Sequence, residues 1–113
     1  MKRNMRYYRD GDICPVEEEY SEKKLVDRML LLGKEIGADE ADFWLFEDSP
    51  GIASVWVSLR NHDRTQTECR TILLHEIDLE EEEVSRYLKE FQKMKRYAAG
   101  HLPGWKVSSS FRW

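Results

Sequence analysis

The chain has little of what most readily marks function. Two cysteines, Cys14 and Cys69, cannot build a disulfide framework, and they read as reduced thiols of a cytoplasmic protein. No apolar run approaches the ~20 residues that a membrane-spanning helix needs. The opening MKRNMRYYRD is basic but has no apolar segment behind it, so no secretory signal is expected. No C-x-x-C or H-x-x-x-H spacing is present. Cys69 and His75 sit six residues apart on one strand, about 20 Å by rise, and His62 precedes them in a loop. A zinc site would have to recruit distant Cys14 or His101. The expectation is no metal, no cofactor, a buried Cys69 thiol and solvent-facing imidazoles. No glycine-rich loop is there to cradle phosphate. Cys69 near His62 and Asp63 has no helix N-terminus to depress its pKa, and Glu76 with Glu80–Glu83 is better explained by helix capping. An enzyme is therefore not expected. A net charge of −4 also argues against a generic DNA-coating protein.

Against those absences stands a well-patterned chain. Hydrophobic residues make up 41% and charged residues 35% of 113 positions, which suits one compact domain. Its centre is the stretch from Ala41 to Asp78, which predicts three strands in a row. The first is Asp42–Glu47, closed by the turn Ser49-Pro50-Gly51, where proline presets φ and glycine accepts a positive one. The second is Ile52–Arg60, with Ala53, Val55, Val57 and Leu59 on one face and Ser54, Trp56, Ser58 and Arg60 on the other. The third is Glu68–Ile77, after the polar link Asn61–Thr67. Links this short join antiparallel neighbours, so a meander is predicted.

Helices flank it. Leu25, Met29, Leu32 and Ile36 recur at helical spacing, with Val26 and Leu30 widening the stripe, Ser21 or Pro15 at the start and Gly37 as the stop. Gly33 lies inside that helix at a cost of roughly 1 kcal/mol, which predicts close approach to the sheet or the other helix. The second helix begins at a capping box, Asp78 to Glu81, and ends at Gly100. Its stripe is Val84, Tyr87, Leu88, Phe91, Met94 and Ala98. The tail from Trp105 to Trp113 alternates and suggests a fourth short strand, free to cover the sheet's outer face.

The predicted architecture is an α+β two-layer sandwich of order α-β-β-β-α-β, with both helices on one face of a three-stranded antiparallel sheet. Its expected core includes Leu25, Met29, Leu32, Val55, Val57, Leu73, Leu88 and Phe91. Residues 1–15 are expected to form a flexible basic/acidic arm, and 16–113 the single domain.

Two features carry binding chemistry. One is the aromatic-basic arm, with Lys2, Arg3, Arg6, Tyr7, Tyr8 and Arg9, which can order on RNA or on an acidic protein patch. The other is the outer face of the second strand and its corner: Trp56, Arg60, Asn61, His62 and Arg64, with Arg70 joining if register allows. Tryptophan beside arginine has the composition of an interface anchor or of a single-strand nucleic-acid platform. The helix–meander–helix order also resembles the double-stranded-RNA-binding domain. That module needs positive charge where its second helix begins, and here the place reads Glu80 to Glu83, so the likeness stops at topology.

The run VWVSLRNHDR, followed by the strand RTILLHEI, resembles a pattern in small phage and mobile-element proteins. There an aromatic-led strand ends in an Asn/Asp-His corner before the next hairpin strand. Trp56 fills the aromatic place, Val57 and Leu59 the apolar ones, and Asn61-His62 the corner, while Ser58 and Arg60 stand where Arg and Ser are usual. The group includes a broad-spectrum anti-CRISPR inhibitor of Cas9, with an arginine-rich arm matched by Lys2, Arg3, Arg6 and Arg9 in a shorter form. The resemblance implies a phage-type accessory protein acting in the cytoplasm of a bacterial host. It would inhibit a defence nuclease or ribonucleoprotein by binding, with RNA contact through the arm. A protein interaction or assembly module is the remaining reading.

Overall fold

The computed structural model describes residues 3–63, 69–74, 77–78 and 81–112. The fold is mixed α+β, with two helices and one sheet. Its elements are β1 (Asn4–Tyr7), β2 (Val16–Glu19), α1 (Glu22–Ile36), β3 (Glu40–Ser49), β4 (Ile52–Arg60), β5 (Arg70–Leu74), β6 (Ile77–Asp78), α2 (Glu81–His101) and β7 (Lys106–Arg112). The sheet path is β2-β1-β5-β4-β3-β7, with the two-residue β6 pairing β4 one residue out of register with β5. All pairings are antiparallel except β3 with β7, which is parallel.

The order therefore differs from α-β-β-β-α-β at the N-terminal end, where two strands precede the first helix, while the tail strand after the second helix is as expected. Within the expected flexible arm, residues Asn4–Tyr7 form a strand inside the sheet. Met5 and Tyr7 face inward and are buried, because alternation in Asn4–Tyr7 supplies two apolar residues that the core absorbs. β2 protects that edge by an inward-pointing charge: Glu18 accepts from Arg28 of α1 at 2.5 and 3.2 Å. At the other edge the tail does not fold over the outer face. It extends the sheet beside β3, from Lys106 opposite Glu40 to Arg112 opposite Phe46.

α1 starts at Ser21, whose hydroxyl accepts from the Lys24 N–H at 3.1 Å. It ends at Gly37 in the left-handed region, φ 63°. α2 passes through Gly100 to His101, beyond the expected stop, and the chain reverses at Gly104, φ 83°. The side chains of the expected Asp78–Glu81 capping box, and that of Val84, lie outside those described.

Both helices pack on one face. Leu25, Met29, Leu32 and Ile36 of α1, and Tyr87, Phe91, Met94 and Ala98 of α2, meet one layer of inward strand residues. These are Met5, Tyr7, Ala41, Phe43, Leu45, Ala53, Val55, Val57, Leu59, Ile72 and Leu74. Leu88 is half-buried against this core. Leu73 does not belong to it: it pairs with Trp56, so strand parity turns it to the opposite face and sends Ile72 and Leu74 inward.

Gly33 is explained by a close approach, though not to the sheet or to α2. A Cβ there would lie 2.6 Å from Cη2 and 3.0 Å from Cζ2 of Trp105, the residue before β7. The glycine makes room for the indole.

Candidate functional site: the open sheet face

The face away from the helices is built in cross-strand rows. One row runs Glu17, Arg6, Leu73, Trp56, Trp44 and Ser110 from one edge to the other. The next holds Thr71, Ser58, Asp42 and Ser108, and a third Arg60, Glu40 and Lys106. Trp44, Phe46, Trp56 and Leu73 are half-buried, so an aromatic band lies across the middle of an otherwise polar surface. Cβ atoms of directly paired residues on adjacent strands stand ~5 Å apart, which makes Trp44 and Trp56 cross-strand neighbours.

Two concavities mark this face, and they share Trp56 and Thr71. One, of about 600 Å³, lies where Arg6 and Tyr8 meet Trp56 and Leu73, walled by the loop at Asp10 and Gly11. The other, of about 340 Å³, is lined by Trp44, Phe46, Trp56, Ser58 and Arg60. The loop wall is fixed from behind by Glu35 of α1. Its carboxylate accepts from the Asp10 N–H at 2.8 Å and from Arg70 Nε at 2.9 Å. Arg70 is thus not an open-face residue. It pairs with Leu59 on the helix side and reaches the first concavity only at its rim.

The expected site residues divide by this geometry. Arg6, Tyr8, Trp56 and Arg60 come together on the open face. Arg6 has no ion-pair partner among the described residues, and Tyr8 is 52% exposed. Among the described residues Arg60 has only a long ion-pair contact, to Asp42 at 3.7 Å, and the Ser108 hydroxyl also donates to Asp42. Arg3 turns to the helix layer instead. Its guanidinium lies 4.6 Å from the Tyr87 ring centre and pairs with Glu90, and burial lowers its pKa. Tyr7 is core, with the Arg28 guanidinium 5.9 Å from its ring centre. Arg9 closes a turn on Asp12 at 2.9 Å. Lys2, Arg64 and His75 lie outside the described residues.

Asn61 and His62 form a clasp rather than part of the face. The Asn61 amide donates to the Ile36 carbonyl at the end of α1, 3.4 Å, and its side-chain oxygen accepts from the Asp63 N–H at 2.9 Å. The His62 N–H donates to Asp39 Oδ1 at 3.0 Å. Its ring contacts the other oxygen of Asp39 and lies 2.9 Å from Asp63. The carboxylate of Asp39 raises the His62 pKa through that ring contact, and the backbone N–H of His62 holds the Asp39 carboxyl below its ordinary range. The corner ties the end of β4 to the α1–β3 link.

Trp44, Phe46, Thr71 and Lys106 carry no outward signal in the sequence. The run Phe43-Trp44-Leu45-Phe46 is apolar on both parities, so alternation cannot tell its inner face from its outer. Both thiols are exposed, which corrects the expected burial of Cys69. Among the described residues no group of three or more His, Cys, Asp and Glu is arranged to hold a metal ion, and no described helix is long and apolar enough to cross a membrane. No protein-family model matches the chain, and no curated protein or solved structure matches it.

Proposed function

We propose that this is a non-catalytic, phage-type binding protein that inhibits a host defence nuclease in the bacterial cytoplasm by occluding it. Its working surface is the open sheet face. The named target is a Cas9-type enzyme carrying its guide RNA. The observation that carries the reading is the position of β1. It sets Arg6 and Tyr8 on the same face as Trp56 and Arg60, so two stretches far apart in sequence form one arginine-aromatic surface. Arginine and tryptophan dominate binding hot spots because a guanidinium or indole fills much contact area at modest entropic cost. The nuclease target rests on the likeness of the Trp56-to-His62 strand and corner to small phage proteins. Turnover is not part of the proposal, since the close acid–base contacts around His62 and Glu35 hold turns and strand ends.

The experiment is DNA cleavage by several guide-loaded Cas9 orthologues with the protein in excess. The expected result is slowed cleavage by wild type, with Arg6→Ala and Trp56→Ala losing the effect while remaining folded. If wild type slows none of the orthologues, the nuclease target is wrong.

A further inference from the structure

We infer that the trough across the open face takes a short segment of single-stranded nucleic acid. The inference rests on the binding-face reading above and names its chemistry. The two concavities adjoin at Trp56 and Thr71, so together they run across the strands from β1 to β3. Such a trough suits a chain that passes along it. Its floor offers Trp56 and Trp44 as cross-strand neighbours, with Tyr8 at one end and Phe46 near the other. Unpaired bases stack on such rings whatever their identity.

Charge is placed to match. Arg3, Arg9, Arg28 and Arg70 are each tied to a carboxylate of the chain. Arg6 has no such partner among the described residues and is exposed, while Glu17, its cross-strand neighbour at the edge of the row, accepts from the Asn4 amide at 3.2 Å. At the far end stand half-exposed Arg60 and exposed Lys106, on either side of Glu40. Asp42, in the row of Ser58 and Thr71, is already engaged by the Ser108 hydroxyl. A duplex is disfavoured, because its bases are not free to stack on the floor and its two backbones need a broader cationic surface.

The test is fluorescence anisotropy with end-labelled thymidine and uridine oligomers of about twelve nucleotides, with tryptophan quenching as a second readout. Wild type is expected to bind saturably and to weaken as salt rises. Arg6→Ala should reduce the log–log salt slope by about 0.7, the loss of one phosphate contact. Trp56→Ala should weaken binding about tenfold or more. Trp56→Phe should bind nearly as wild type: it keeps a ring, and the indole N–H it removes makes no hydrogen bond among the described residues. Lys23→Ala, on the exposed side of α1, should change nothing. Arg6→Ala and Trp56→Phe keep the test decisive even where Trp56→Ala fails to fold.

Absence of saturable binding by folded wild type overturns the inference, as does an unchanged salt slope in Arg6→Ala. Equal affinity for a duplex of the same length also overturns it. So does a stable dimer that Trp56→Ala dissociates, since a second copy would then cover the face. Inhibition of a nuclease that depends on Trp56, without any oligomer binding, would keep the binding-face reading and reject this one. Oligomer binding without inhibition supports this one and rejects the nuclease target.

Discussion

Replacing Gly33 with alanine sets two known effects against each other. In a helix interior alanine is favoured over glycine by about 1 kcal/mol. The new methyl would lie 2.6 and 3.0 Å from two ring carbons of Trp105, and 3.3 Å from the Cβ of Ala38. Ordinary carbon contacts are about 3.5–4.0 Å, so the indole must retreat by about 1 Å. It is poorly free to do so. The backbone N–H of Trp105 donates to the Leu102 carbonyl at 3.1 Å, and that of the next residue, Lys106, to the Asp39 carbonyl at 2.8 Å. Forcing a methylene-sized excess into packed structure costs about 1–3 kcal/mol, so the net effect of Gly33→Ala is a loss of up to about 2 kcal/mol. Thermal melting should fall by about 3–6 °C for each kcal/mol lost, and the urea midpoint should fall with an unchanged m value. The decisive arm is a double-mutant cycle. In a Trp105→Leu background the clash with the ring is gone and only the milder contact with Ala38 remains, so Gly33→Ala should instead stabilise, by up to about 1 kcal/mol. A rise in Tm in the wild-type background, or the same change in both, would refute the reasoning.

Truncation of Phe91, which is 1% exposed and meets Phe43 edge-on at 6.4 Å, should cost about 3–5 kcal/mol in chemical denaturation. Met5→Ala should cost about 2–5 kcal/mol, whereas a loose arm would lose nothing, so equilibrium unfolding checks the placement of β1. Arg6→Ala should leave Tm within experimental error, separating a face residue from a core one on the same strand. The His62 clasp makes stability depend on pH. Its folded pKa is raised, so its contribution is fully present below the ordinary histidine value of ~6.5 and is lost as pH rises through the folded pKa. The folded pKa of Asp39 is lowered, so its contribution is lost as pH falls through that depressed value. The Tm difference between wild type and His62→Ala should therefore be widest in mild acid and narrow steadily above about pH 7. A difference that grows with pH would overturn the clasp.

How far this surface can be read from the sequence depends on what each strand has on its two faces. β4 is legible because Ala53, Val55, Val57 and Leu59 alternate with Ser58 and Arg60, so alternation alone turns Trp56 outward. β3 is not, since Phe43 to Phe46 are apolar on both sides and hide Trp44, the ring that extends the aromatic band. β5 misleads in a different way. Ile72, Leu73 and Leu74 are all apolar, and a one-residue choice of parity puts Leu73 in the core and Arg70 on the open face, the reverse of the actual sides. β1 is too short for periodicity to stand out. Only Met5 and Tyr7 face inward, amid basic residues that suggest a solvated tail. Those basic residues nonetheless take different roles because a strand alternates. Arg3 is spent on Tyr87 and Glu90, while Arg6 is presented to solvent beside Leu73 and Trp56. The composition that suggests an arm therefore describes one strand of the sheet's open face, and the pairing of β1 with β5 assembles the candidate site.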